Sequence, residues 1–75
     1  MTRHRVDVII EKDEDGCYAY CPALPGCQSQ GRTFEEVCRN IQEAAELYWE
    51  TLGPEETARL LNTKVITASL EVAVV

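Results

Sequence analysis

The chain has one histidine, His4, and no Cys-x-x-Cys pair, and each scarcity removes a class of chemistry. General acid–base catalysis needs titratable groups with separated pKa values, and a cysteine nucleophile needs a base beside it. His4 is the single imidazole, so no catalytic residue is assigned and the chain is read as a non-enzyme. Zinc ribbons and thioredoxin-like sites both use Cys-x-x-Cys. Cys17, Cys21, Cys27 and Cys38 instead follow C-x3-C-x5-C-x10-C, and are expected as small half-buried hydrophobes without metal, cofactor or disulfide.

Positive charge is also scarce. Seven lysines and arginines face 13 acidic residues, giving a net charge of −6. Arg3, Arg5, Lys12, Arg32, Arg39, Arg59 and Lys64 are scattered and make no stripe. Such a field repels phosphate backbones and attracts a basic partner, so direct nucleic-acid binding is not expected. No apolar run approaches the roughly 20 residues of a membrane span. Met1 to Arg5 lead straight into an alternating strand pattern without a leader-like apolar stretch, so a cytoplasmic protein is expected. The four glycines are isolated, which leaves no phosphate-binding loop.

Among the acidic residues, Asp13-Glu14-Asp15-Gly16 lacks the closing glutamate of a calcium loop and reads as a solvated hairpin tip. Asp7 and Glu11 share a strand face and would need a third carboxylate to hold a divalent ion. They read as the wet side of a sheet, with a metal-dependent nuclease relic as a distant rival.

What remains is enough for one small domain, residues 1–75, with 45% hydrophobic and 27% charged residues. Period-two alternation predicts a strand over 5–12, with Val6, Val8 and Ile10 on one face. The Asp15-Gly16 turn leads to a second strand over 17–21, and a Pro25-Gly26 turn to a short third over 27–30. Thr33-x-x-Glu36 is a capping box that opens a helix. Phe34, Val37, Cys38, Ile41, Ala44, Ala45, Tyr48 and Leu52 form its apolar face, and Gly53-Pro54 stops it. A short helix over 55–61 and a final alternating strand over 64–75 complete the order β-β-β-α-(short α)-β. The expected architecture is α+β, an antiparallel sheet with one main helix on one face.

Several fragments in this order resemble the HicB antitoxin family. They are Glu11 to Tyr18, Cys21-Pro22-Ala23-Leu24-Pro25-Gly26-Cys27, Gly31-Arg32-Thr33, Glu36 and Asn40-Ile41-Gln42-Glu43-Ala44. The resemblance covers residues 5–52 closely and the final strand more loosely. It implies a partial RNase H-like fold and a partner, a small basic HicA-type mRNA-cleaving toxin that HicB-type proteins cover in a type II toxin–antitoxin system. The full RNase H carboxylate set is not recognisable, so the fold implies no nuclease activity. Many members carry a C-terminal helix-turn-helix or ribbon-helix-helix segment. This chain reads as a short form without one, so promoter binding is not expected of it.

The functional expectation is an antitoxin-like homodimer. The rival is an orphan HicB-like homo-oligomeric scaffold or small-ligand binder without a toxin. For the interface, strand two offers two faces: Cys17, Ala19 and Cys21 on one, Tyr18 and Tyr20 on the other. If the small residues lie under the helix, the tyrosines face outward and become contact candidates. Trp49, at the border of the helix stripe, is the third candidate, either packed at an edge or anchoring an interface.

Overall fold

The computed structural model of the chain describes residues 3–75; Met1 and Thr2, at the head of the stretch read for a leader, lie outside the described residues. The element order is β1 (Ile9–Asp13), β2 (Gly16–Tyr20), β3 (Gln28–Gly31), α1 (Phe34–Glu50) and α2 (Pro54–Leu61). The three strands form one antiparallel sheet in the order β1-β2-β3. This is the α+β arrangement expected from the sequence, with the main helix on one face of the sheet.

Register follows the turns. Asp13 pairs with Gly16, so Glu14 and Asp15 make a two-residue loop, held by the Asp15 amide donating to Asp13 Oδ1 at 2.8 Å. The Pro25-Gly26 turn is closed by the Cys27 amide on the Leu24 carbonyl at 2.9 Å, and Gly26 takes the φ of +85° that a type II turn demands. That turn swings Leu24 inward, where it is fully buried.

The core is thin. Cys17, Ala19 and Cys21 of the β2 face, with Leu24 and Cys27, pack against Val37, Ile41 and Ala45 of α1. Val6, Val8, Ile10, Ala44, Tyr48, Leu52 and Leu60 pack against this cluster, partly buried. Small residues on β2 let the helix lie close. The approach is tightest at Gly31, where a Cβ would fall 2.7 Å from the Val37 amide nitrogen.

Thr33 caps α1 as expected, its hydroxyl accepting from the Glu36 amide at 3.1 Å. Glu36 reaches back one residue further than the capping box prescribes, to the Arg32 amide. The helix ends at Glu50, with Thr51 as its cap bonding the Tyr48 carbonyl. Gly53 therefore caps the start of α2, with Pro54 in its first turn, instead of terminating α1. Phe34, expected on the apolar face, is 57% exposed and has no place in the core cluster.

The larger correction concerns the final strand. Residues 64–75 alternate as expected but pair with none of the described residues, so no strand forms there. A strand exists only through its ladder, and this segment joins none of the three strands. Ile66, Leu70, Val72 and Val74 are 79%, 85%, 73% and 87% exposed.

Candidate partner-binding surface

The helix covers one sheet face, which decides between the two assignments of β2. Cys17, Ala19 and Cys21 are buried beneath α1, and Tyr18 and Tyr20 stand on the opposite face. Tyr18 is 39% exposed and Tyr20 half-buried. Their ring centroids lie 5.8 Å apart with planes tilted by 35°. Cross-strand register sets their neighbours: Glu11 and Gln30 flank Tyr18, and Ile9 and Gln28 flank Tyr20. The Tyr18 hydroxyl donates to Gln28 Oε1, which ties the ring to β3.

Two shallow grooves border this pair. One runs from the tyrosines to the Pro22, Pro25 and Gly26 turn. The other leads to the hairpin tip and is lined by Glu11, Asp13, Asp15, Arg32 and Glu36. The face thus joins two aromatic rings to the solvated carboxylates of Glu11, Asp13 and Asp15. Aromatic rings supply contact area at low entropic cost, and carboxylates select a basic partner.

Trp49 is not part of this face. It sits near the end of α1, on the helix side of the sheet, where its indole stacks on the His4 imidazole. The three sequence candidates therefore fall on two surfaces, with the tyrosines brought together and Trp49 apart. Asn40 was missed by sequence reasoning. Its Nδ2 donates to the Gln30 carbonyl at 2.8 Å, linking α1 to β3. The available signal was an asparagine, a poor helix former, in mid-helix beside the apolar stripe.

Among the described residues, no group of three or more His, Cys, Asp or Glu side chains could hold a metal ion. Asp7 and Glu11 are exposed. All four cysteines are free thiols. Burial pushes the Cys21 thiol up to about 12, with the neighbouring Cys27 adding to the shift through its charge and a hydrogen bond. Such a thiol is a poor nucleophile at neutral pH. Among the described residues, no helix is long and apolar enough to cross a membrane.

Comparison with known proteins places the chain in a family. Residues 6–71 match the family model described as HicB_like antitoxin of bacterial toxin-antitoxin system. A UPF0150 protein of Helicobacter pylori is 46% identical over 68 residues, covering 91% of this chain and 94% of its own. A UPF0150 protein of Synechocystis is 61% identical over 49 residues, 64% of this chain and 62% of its own. One from Archaeoglobus fulgidus is 38% identical over 60 residues, 79% of this chain and 87% of its own. No solved structure matches significantly. The chain belongs to the HicB-like antitoxin family of bacterial toxin–antitoxin systems.

Proposed function

We infer that this chain, acting as one HicB-like domain over residues 1–75, binds and neutralises a small basic HicA-type mRNA-cleaving toxin in the cytoplasm. It works by covering the toxin's active surface, not by catalysis, and needs no cofactor or metal. The observation that carries this reading is the outward sheet face, where Tyr18 and Tyr20 stand beside Glu11 and the acidic hairpin tip. Twelve of the 13 carboxylates lie on exposed residues, with Glu36 half-buried, so the field of −6 is displayed to solvent. A basic RNA-binding surface would be steered towards it and held through the tyrosines, with Trp49 as a separate contact on the helix side. We assign the working form as a homodimer.

The test is co-expression with the small open reading frame beside the gene. A stable complex with a basic protein, whose RNA cleavage stops on binding, is the expected result. A homo-oligomer that leaves that neighbour unbound would point to an orphan scaffold or small-ligand binder.

A further inference from the structure

We propose that residues 65–74 form an exchanged strand, each copy laying this arm against the free edge of β1 in a second copy. The inference deepens the homodimer part of the proposed function and rests on that part; it is independent of the toxin.

The arm leaves the body of the molecule. The Cα radius of gyration is 14.5 Å, against roughly 11 Å for a compact domain of this length. Its sequence is strand-like, rich in β-branched residues, and amphipathic with period two. Ile66, Ala68, Leu70, Val72 and Val74 share one side, while Thr67, Ser69 and Glu71 share the other, flanked by Val65 and Ala73 at its ends. In the single chain this apolar side faces water.

The sheet has two edges, and they are not equivalent. In an antiparallel pair, alternate residues exchange backbone bonds, and those between them point outward. The Cys21 amide bonds the Cys27 carbonyl at 3.1 Å, in continuation of the β2–β3 register. Gln30, out of phase with that pair, therefore turns its carbonyl to the outer edge of β3, where Asn40 caps it. The same phase places Tyr18 and Tyr20 in bonded pairs with Glu11 and Ile9. Val8, Ile10 and Lys12 then turn their amides and carbonyls to the outer edge of β1, which among the described residues has no strand beside it. That edge is a template for another strand.

The two patterns match. Val6, Val8 and Ile10 put their side chains against the core. An arm paired alongside would set Ile66, Ala68, Leu70, Val72 and Val74 on that same side, extending the core. Thr67, Ser69 and Glu71 would continue the polar outer face. Arm and edge lie on one chain, so a single two-fold axis satisfies both twice and leaves no open end. This is the argument for a second copy as the occupant.

The experiment measures the full chain's mass by sedimentation equilibrium and its amide exchange by NMR. Two variants, Leu70→Pro and Ile66→Glu, are compared with it. Both sites lie outside the core, so the variants should keep a cooperative melt. The expected result is twice the chain mass of 8.4 kDa for the unsubstituted protein, with slow exchange at Ile10, Lys12 and alternate arm residues. Each variant should weaken dimerisation at least tenfold and release those amides. A monomeric unsubstituted chain would overturn the proposal, as would a dimer indifferent to both substitutions. Protection of the same amides in a monomer would show the arm folding back on its own edge, which also overturns it. Failure to bind a toxin would leave these readings untouched, so the two ideas fail separately.

Discussion

The His4 imidazole lies flat on the Trp49 indole, with ring centroids 5.0 Å apart and planes 6° from parallel. Residues 3–8 make no ladder of their own, yet His4, Val6 and Val8 all turn to the helix side, where Val6 and Val8 pack on the core. The stack thus pins the approach to β1 against the end of α1. Trp49 is the sole tryptophan, so its fluorescence reports the contact directly. His4→Ala should shift the emission to longer wavelength and cost about 0.5 kcal/mol, the low end for an aromatic pair at an exposed site. Unchanged emission would mean that the two rings do not stack in solution.

Gly31 sets how near the helix comes to the sheet. A Cβ there would sit 2.7 Å from Val37 N and 3.1 Å from Glu36 C, both backbone atoms that move only with the helix. Gly31→Ala should therefore destabilise by about 1–3 kcal/mol, the usual cost of overpacking. Gly53→Ala is the control, since its nearest neighbour is the flexible Glu56 side chain at 3.8 Å. It should cost under about 1 kcal/mol, as a cap residue losing a mild preference. Urea midpoints for the two variants would check the contrast, and equal shifts would show that the close approach carries no stability.

The sequence was most legible where local chemistry alone decides structure. The Pro25-Gly26 turn and the Thr33 cap each depend on a few adjacent residues and lie where they were expected, while the hairpin turn falls one residue earlier than the Asp15-Gly16 signal, on Glu14-Asp15. The tyrosine face needed one further fact, which side the helix covers, and alternation by itself leaves that open. Phe34 failed because helical spacing says which residues share a face, not which of them reach the core. Residues 64–75 failed for a related reason. Alternation shows that a segment suits a strand, but a strand needs a neighbour, and sequence does not supply one. Asn40 was silent because its partner, the Gln30 carbonyl, is ten residues away in the chain and on another element.

That bond between Asn40 and Gln30 predicts an ordered pair of effects. Asn40→Ala removes the donor and leaves the Gln30 carbonyl to water, which should cost about 1 kcal/mol. Asn40→Asp keeps the shape but offers only acceptors, placing a carboxylate against a carbonyl oxygen. It should be the more damaging of the two in chemical denaturation. The reverse order would mean that the amide oxygen, not Nδ2, faces Gln30.

The cysteines give a prediction in pH. Cys17, Cys21 and Cys27 are buried and Cys38 is half-buried, so native-state alkylation should modify Cys38 first. Cys21 should resist longest, because its folded pKa is raised from the ordinary 9.0 to about 12 by burial and by Cys27. Its thiolate is therefore disfavoured in the fold relative to the unfolded chain. The stability tied to the neutral thiol is complete below 9.0 and is lost as pH climbs towards about 12. Cys21→Ala should flatten part of the alkaline decline in melting temperature. Mass spectrometry of labelled peptides would give the order, and early labelling of Cys21 would contradict its burial.

Tyr18 and Tyr20 separate binding from folding. Both project from the face away from α1, so truncating either removes little that the core uses. Tyr18→Ala and Tyr20→Ala should each weaken the complex with a basic toxin about tenfold or more, the loss expected of an aromatic contact near an interface centre. Tyr20 is the more enclosed, so its melting temperature should fall further than that of the Tyr18 variant while remaining cooperative. Glu11→Gln, beside Tyr18, should act mainly on the association rate and its salt dependence, as a rim charge does. Calorimetric titration with thermal melts of the free chain distinguishes these effects. A collapse of stability in the tyrosine variants, with affinity unchanged in the folded fraction, would place both rings in the fold's own packing and move the partner's contact to another face.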